Sequence, residues 1–323
     1  MNTRPAHSYK FQKKPKVKVY WLTHTPWQRD WESDWIQELL ANADFETEIE
    51  NVEDFQTCSP NSIVVFNKSL PYVEYLQQYE QRDFSFVGIH LSDEYLNDSY
   101  KAYTYKSCKA IFRNYYHAVL QQYPKVTTFA LGYKLGFWDN YKGPRPQRKS
   151  NRPYKWSFAG ASKNQVRKKS LETFEDIKPH FVHYETGNSF ENPVTGLDIE
   201  TYRNVMLDSK FVICPMGNVN LDTFRLYECL EAGAVPVALS KTSSQQYEPS
   251  YFQRLFDAIT EKNEIIPFVC EDSWEKCKTK MLELGSDDQL YEDTRHTVCA
   301  FWKRYKDSLR KKLCETVKHY LLN

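Results

Sequence analysis

Phe211-Val-Ile-Cys-Pro-Met-Gly-Asn-Val-Asn-Leu-Asp-Thr-Phe-Arg-Leu-Tyr-Glu-Cys-Leu-Glu-Ala-Gly-Ala-Val-Pro-Val-Ala-Leu239 is the stretch that decides how this 323-residue sequence is read. Phe211 to Cys214 is a short apolar run that Pro215 stops, the pattern of a buried strand. Gly217, Asn218 and Asn220 then mark a loop. Asp222 or Thr223 can cap a helix predicted over Thr223 to Ala232, with a side-chain oxygen accepting from a free first-turn amide. Gly233 ends that helix, and Val235 to Leu239 reads as the next strand. Strand, loop, helix, strand is the repeating unit of a parallel sheet covered by helices.

The same grammar runs outward in both directions. Upstream in the second half, Lys155 to Phe158 and Phe181 to Tyr184 read as strands, with helices over Lys163 to Ile177 and Ile199 to Asp208; downstream, Ile266 to Cys270 reads as a strand. The first half offers strands at Val17 to Leu22, Ile63 to Phe66, Phe86 to His90, Ala110 to Phe112 and Thr127 to Leu131. Helical spacing lies between them at Asp34 to Leu40 and Tyr72 to Tyr79. Between the halves, Gly143, Pro144, Pro146 and Pro153 stand among basic residues without periodicity, as in a linker. Near the end, Val298, Trp302, Tyr305, Leu309, Leu313, Val317 and Leu321 recur every three or four positions, an apolar stripe that must cover something. The expected architecture is α/β: two Rossmann-like lobes with a cleft between them and a long C-terminal helix. Its parts are a disordered basic tail over 1–15, a first lobe over 16–139, a linker over 140–153, a second lobe over 154–296, and a helix over 297–323 that packs back on the first lobe. In open α/β sheets, ligands bind beyond the carboxyl ends of the strands, so the cleft is the expected site.

Composition narrows the classes. Formal net charge is +1, so no overall field attracts nucleic acid. The basic stretches 1–18 and 142–155 read as solvated tail and linker, with a weak hold on an anionic membrane surface as the alternative. No run of about 20 apolar residues is present, so no transmembrane segment is expected, and residues 1–15 lack the apolar core of a secretory signal. The eight cysteines are scattered without a Cys-x-x-Cys pair, as free thiols of a reducing compartment are. A cytoplasmic, soluble protein is expected.

Three segments carry candidate chemistry. The first is the opening stretch. The N-terminus of its helix is an anion site, and Arg225 lies in the first turn with a planar fork for phosphate oxygens. Glu228 lies one turn deeper, where a carboxylate can accept from a ribose diol. The same spacing also fits a helix capped by Asp222 with an Arg225–Glu228 pair. The second segment is Trp156-Ser-Phe-Ala-Gly-Ala-Ser-Lys-Asn-Gln-Val-Arg167. Backbone at Gly160, Ala161 and Ser162 can approach a phosphate closely, and Arg167 either reaches the same diphosphate or is a solvated helix arginine. The third is Phe86-Val-Gly-Ile-His-Leu-Ser-Asp-Glu-Tyr95 followed by Ala110-Ile-Phe-Arg-Asn-Tyr-Tyr116. Asp93 or Glu94, at a strand end, can act as general base toward an acceptor hydroxyl; equally, Ser92 or Asp93 caps a helix and Arg113 pairs with one of the acids. Ser92, Arg113, Tyr115 and Tyr133 are acceptor-side candidates, as is His90, whose apolar strand also suits a core histidine. No Asp-x-Asp, His-x-x-x-His or Cys/His cluster occurs, so no metal or cofactor is expected.

Phe224-Arg225-Leu226-Tyr227-Glu228-Cys229-Leu230-Glu231-Ala232-Gly233-Ala234-Val235-Pro236-Val237 resembles the Phe-Arg-x-x-Glu-x-Leu-x-x-Gly-x-x-Pro-Val pattern of the exostosin-like glycosyltransferases of family 47. Overall the sequence looks similar to short members of that family, such as the ribitol-phosphate xylosyltransferase. The resemblance implies a GT-B type fold, with Arg225 at the donor diphosphate and Glu228 at the ribose. It extends to Arg167 after Phe-x-Gly and to Asp93-Glu94 followed by Arg113-Asn-Tyr. Donor contacts are then expected from Gly160, Ala161, Ser162, Arg167, Pro215, Gly217, Asn218, Asn220, Asp222, Thr223, Phe224, Arg225 and Glu228, and catalysis from Asp93, Glu94 and Arg225. The implied activity is inverting, metal-independent transfer from a UDP-sugar, such as UDP-xylose, UDP-glucuronate or UDP-GlcNAc, to the hydroxyl of a glycan or glycoconjugate. An unanchored enzyme of bacterial or viral origin is expected. Two alternatives stand beside it. One is a GDP-fucose transferase, since Glu231-Ala-Gly-Ala-Val-Pro-Val also resembles that group. The other is a non-catalytic subunit that binds a nucleotide sugar or glycan. A nucleotide-sugar epimerase or dehydrogenase is set aside, because no Gly-x-Gly-x-x-Gly follows the first strand.

Overall fold

Eleven strands among the described residues form two sheets, and every pairing in both is parallel. The structure is a computed structural model that describes residues 14–22, 31–41, 43–52, 58–67, 72–143, 145, 151–161, 165–185, 195–242, 250–260 and 264–323. The first sheet contains β1 (Lys16–Leu22), β2 (Glu46–Val52), β3 (Ser62–Phe66), β4 (Phe86–His90), β5 (Cys108–Arg113) and β6 (Val126–Thr128), in the order β2-β1-β3-β4-β5-β6. The second contains β7 (Tyr154–Ala161), β8 (His180–Glu185), β9 (Ser209–Ile213), β10 (Val235–Leu239) and β11 (Val269–Glu271), in the order β11-β10-β9-β7-β8. Numbered within each lobe, the first sheet runs 2-1-3-4-5-6 and the second 2-1-3-4-5, a doubly wound order whose switch point falls between the first and third strands.

Side-chain alternation explains why these segments pair as they do. Val17, Val19 and Trp21 of β1 enter one apolar cluster, while Tyr20 and Leu22 enter another on the opposite face. Ile63 and Val65 of β3 divide from Val64 and Phe66 in the same way. Strands buried on both faces read as continuous apolar runs, which is how they were legible. β2 was not. Its sequence, Glu-Thr-Glu-Ile-Glu-Asn-Val, forms an exposed edge where Glu50 accepts from Lys18 at 2.8 Å. Charge on an edge strand discourages further pairing and removes the apolar signal.

Helices α1 (Ser33–Leu40), α2 (Tyr72–Gln81), α3 (Gln165–Glu172), α4 (Ile199–Leu207), α5 (Phe224–Glu231), α6 (Tyr251–Asp257) and α7 (Trp274–Leu284) lie between strands or after them. Last comes α8 (Asp288–Val317), which starts nine residues before the expected 297 and carries the apolar stripe as a fully buried face. It binds both lobes at once. Trp302 stacks on Trp35 of α1 with ring centroids 5.7 Å apart, and the Ala130 amide donates to the Tyr305 hydroxyl at 2.7 Å. Lys306 donates to Glu38 of α1 at 3.0 Å and to Glu231 of α5 at 2.6 Å. Arg152, expected in a solvated basic linker, is instead buried, donating to the carbonyls of Met206, Ser209 and Ala232. Nη1 serves the Met206 and Ser209 carbonyls and Nη2 the Ala232 carbonyl, a spread that the planar guanidinium fork suits.

Candidate functional site

The second sheet's switch point lies at the carboxyl ends of β7 and β9, and two arginines meet there. Arg225, in the first turn of α5, donates from Nε and Nη2 to the Ala159 carbonyl at 3.1 and 2.9 Å, and its guanidinium lies 4.4 Å from the centre of the Phe158 ring. Gly160 has φ +148°, and a Cβ there would collide with the Arg225 guanidinium, so glycine serves both the backbone and the arginine's seat. Arg167 of α3 donates to the Met216 carbonyl at 3.1 Å and the Ala161 carbonyl at 3.0 Å. Burial, and next the neighbouring Arg225, lower the Arg167 pKa to about 10. The depression comes chiefly from burial and only second from the like charge of Arg225, and an anion beside the two would oppose both. The start of α5 adds to this: Thr223 is its N-cap, makes no side-chain capping bond, and keeps a buried hydroxyl without a partner.

Other expected donor residues are placed differently. Asp222 does not cap α5. Its carboxylate accepts from the Tyr227 hydroxyl and, at 3.4 Å, from Tyr251, and burial raises its pKa to about 7. Tyr251 also accepts from the Tyr116 amide of the first lobe at 3.1 Å, so Asp222 sits at the junction. Glu228 is 3% exposed rather than open to a ribose. It accepts from the Tyr202 hydroxyl at 2.6 Å and the Lys134 amide at 3.2 Å, and burial raises its pKa. No Arg225–Glu228 ion pair forms among the described residues. Pro215 is buried and Phe224 half-buried against the core. Ser162 and the expected helix start at Lys163 lie outside the described residues.

The loop after β9 makes the most direct contact between lobes. Glu94, from the loop after β4, accepts at Oε1 from the amides of Asn218, Val219 and Asn220 at 2.9, 3.0 and 3.1 Å, and at Oε2 from the Asn218 side chain at 3.1 Å. The turn is closed by the Gly217 amide donating to the Asn220 carbonyl at 2.7 Å, and a Cβ on Gly217 would sit 2.7 Å from Glu94 Oε1. Successive amides converging on one oxygen form an anion nest. Where an open cleft was expected, the first lobe's carboxylate bridges to the second.

The remaining first-lobe candidates are mostly structural. Asp93 is buried, accepting from Arg113 at 3.1 Å and from the Asn97 amide at 2.8 Å. Arg113 is 1% exposed and also donates to Tyr103 and the Asn114 carbonyl. His90 is buried between Tyr103 at 2.5 Å and Asp98 at 2.8 Å, and burial lowers its pKa. These residues form one satisfied network, not a cleft wall. His90, Asp93 and Asp98 are close enough to share a cation, but Arg113 already supplies the positive charge. Tyr133 donates to Glu38 at 2.6 Å beside Trp35, away from the arginines. Tyr115, at φ 59°, is buried at the junction; burial, then Glu94, Glu32 and Asp222, raise its pKa well above the usual phenol value.

Glu32 is the residue that the sequence reading missed. It precedes α1, is 0% exposed, and accepts from the Ser92 hydroxyl at 2.7 Å through Oε1, while Oε2 has no partner. Burial raises its pKa to about 7, against a smaller lowering by Ser92. In sequence it is one acid among several in Asp30-Trp-Glu-Ser-Asp34, and only tertiary burial singles it out. A cavity of about 710 Å³ lies elsewhere, at the far edge of the second sheet, lined by Ser240, Lys241, Gln253, Ile266 and Phe268 among others. Among the described residues no arginine lines it, whereas both Arg225 and Arg167 lie at the switch point.

The sequence model of the family described as RXYLT1 C-terminal domain matches residues 138–322. No curated protein matches the chain. Among solved structures, a mutant O-GlcNAc transferase of Thermobaculum terrenum aligns at TM-score 0.52 and 8% identity, over 95% of this chain and 67% of that one. Alr3699/HepE of Anabaena, solved with UDP and glucose, aligns at TM-score 0.50 and 8% identity, over 94% of this chain and 100% of that one. The glycotransferase of kitacinnamycin aligns at TM-score 0.48 and 10% identity, over 96% of this chain and 100% of that one. At such identities the likeness is one of fold, the two-lobed GT-B arrangement.

Proposed function

We propose, from the premise that the chain belongs to the RXYLT1 C-terminal domain family of exostosin-like glycosyltransferases, that it moves a sugar from a nucleoside-diphosphate donor at the second lobe to a glycan or glycoconjugate hydroxyl at the first. The carrying observation is the pair of guanidiniums, Arg225 and Arg167, resting on backbone carbonyls at the β7/β9 switch point. As the anomeric carbon–oxygen bond breaks, its electron pair passes to the departing diphosphate, where the two arginines meet the growing charge. That placement takes the role a divalent cation fills elsewhere, so transfer runs without metal. The acceptor oxygen forms the new bond from the opposite face, inverting the anomeric centre, and its proton passes to a first-lobe carboxylate. Asp93 is held by Arg113 and Glu94 by the nest, whereas Glu32, itself 0% exposed, keeps an oxygen unengaged; Glu32 is therefore the assigned proton acceptor, and the acceptor hydroxyl reaches it only when the junction beside it opens. UDP is the nucleotide to test first, since a protein of the same fold was solved with it.

Two measurements test this reading. Nucleotide release across UDP-, GDP- and CMP-sugars should single out UDP donors; selective release from GDP-fucose would move the assignment to a fucosyltransferase, and no release from any donor would favour a non-catalytic subunit. Arg225→Ala should lower turnover by about 100- to 1000-fold, the usual loss for one preorganised charge-stabilising contact. Circular dichroism should show the fold retained, and near-normal turnover would remove Arg225 from the chemistry.

A further inference from the structure

Glu94 does something that none of the roles above requires: a carboxylate of one lobe fills a ready-made anion site of the other. We propose that the amides of residues 218–220 are the subsite for one phosphate of the donor's diphosphate, and that Glu94 occupies it as an internal stand-in which the donor must displace. The inference rests on the nucleotide-sugar reading of the site.

The geometry carries it in three steps. First, all four hydrogen bonds to Glu94 come from the second lobe, and three of them are backbone amides aimed at one oxygen. A phosphoryl oxygen accepts such bonds as a carboxylate oxygen does. Second, the nest adjoins the arginines. Arg167 holds the Met216 carbonyl one residue before Gly217, and Glu94 opposes the lowering of its pKa, so the two side chains lie within electrostatic reach. An anion in the nest therefore also serves the cationic pair. Third, Glu94 is presented on a stiff support. The Asp93 carboxylate binds Arg113 and the Asn97 amide, and the Leu96 amide donates to the Asp93 carbonyl at 3.4 Å. A tethered group of this kind competes at an effective concentration of order millimolar.

Competition has a definite consequence. Only the fraction of molecules with an empty nest can take the diphosphate there, and apparent affinity falls by that fraction. A carboxylate brings one negative charge and a nucleotide sugar's diphosphate two, so the donor prevails near two guanidiniums once its concentration is sufficient. Displacement also breaks a tie between the lobes, so donor entry loosens the junction at which the acceptor must arrive.

The test is titration calorimetry of the full chain with UDP, GDP and inorganic pyrophosphate, for the unmodified protein, Glu94→Gln and Glu94→Ala. The expected result is tighter binding of the nucleotide and of pyrophosphate in both variants, by about tenfold for Glu94→Ala, with Glu94→Gln between it and the unmodified protein because a neutral amide still accepts from the nest. Gly217→Ala keeps the charge but places a Cβ against Glu94 Oε1, and should release the side chain as well; a shift of Glu94 side-chain or Asn218 amide resonances toward those seen with pyrophosphate supports displacement. Equal or weaker binding in both Glu94 variants, with the unmodified protein binding normally, overturns the stand-in and leaves the donor site intact. Absence of binding by any form overturns the donor site and the stand-in together.

Discussion

The carboxyl ends of the two sheets share a strand order and carry opposite chemistry. At the second sheet's switch point, Arg225 and Arg167 rest on carbonyls of Ala159, Met216 and Ala161. At the first sheet's carboxyl edge acids stand instead: Glu32 before α1, and after β4 Glu94 and an Asp93 already paired with Arg113. Glycosyl transfer needs this asymmetry, because negative charge leaves toward one side while a proton leaves toward the other. Under the proposed function, two lobes of like topology divide the work between their carboxyl edges. Glu94 is one place where the halves touch, its carboxylate in the second lobe's amides.

The largest effect expected from breaking this division comes from Glu32. Glu32→Gln is nearly isosteric and can still accept from Ser92, but removes the proton acceptor; kcat should fall by about 100- to 10,000-fold. Glu32 shares Tyr115 as an electrostatic neighbour with Glu94 and Asp93 of its own lobe and with Asp222 of the other. With the Glu32 pKa raised to about 7, chiefly by burial, kcat/KM for the unmodified enzyme should rise with pH and level off above about 7, since only the ionised form takes a proton. That acid limb should vanish in Glu32→Gln, while UDP binding by calorimetry stays. A limb that persists unchanged would return the first-lobe acids to a purely structural role.

How much of this division was legible depended on whether neighbours in sequence or neighbours in space create the signal. The strand–loop–helix stretch from Phe211 to Leu239 exposed the second lobe, because apolar runs, the Gly/Asn loop and the helix stop all lie within it. Arg225 was visible for the same reason, being fixed by its place in the first turn. Asp93 and Glu94 were visible as strand-end acids, but their opposite fates were not: one meets Arg113, twenty residues on, and the other meets amides 124 to 126 residues away. Glu32 and the carbonyl-bound Arg152 were hidden for that reason too. Burial assigned their roles, and burial of a charged side chain leaves no periodic trace in sequence. Edge strand β2 was missed because its alternation is polar on both sides.

A smaller effect sharpens the comparison from the other lobe. Asp222 is the second lobe's exception, an acid on the cationic side, with its pKa raised to about 7 by burial although Tyr227 and Tyr251 donate to it. An acid whose folded pKa lies above its unfolded value binds protons more tightly when folded. It supports stability fully below about pH 4, and that support is lost as pH rises through about 7. Unfolding free energy should therefore drop between pH 5 and pH 8, by a few kcal/mol from Asp222 and Glu32 together. Asp222→Asn should flatten part of the drop, measured by denaturant melts at both pH values. A variant whose stability still falls as steeply would mean that Asp222 is ionised and well solvated by its tyrosines, and the second lobe would then hold an acid as readily as the first.

The smallest effect isolates the side-chain hydrogen bond that favours ionised Glu32. The Ser92 hydroxyl donates to Glu32 Oε1 at 2.7 Å and favours the ionised form against burial. Ser92 sits at φ 62°, a left-handed conformation that glycine adopts without strain, so Ser92→Gly removes the hydroxyl and eases the backbone. Without the donor, burial acts unopposed by Ser92, and the Glu32 pKa rises further. The acid limb of kcat/KM should then move to higher pH, with the plateau above it changed by no more than a few-fold, because a more basic carboxylate is a better proton acceptor once ionised. A limb that stays in place would mean that Glu32 is not the group that titrates, and the first-lobe half of the comparison would pass to Glu94 after its release from the nest.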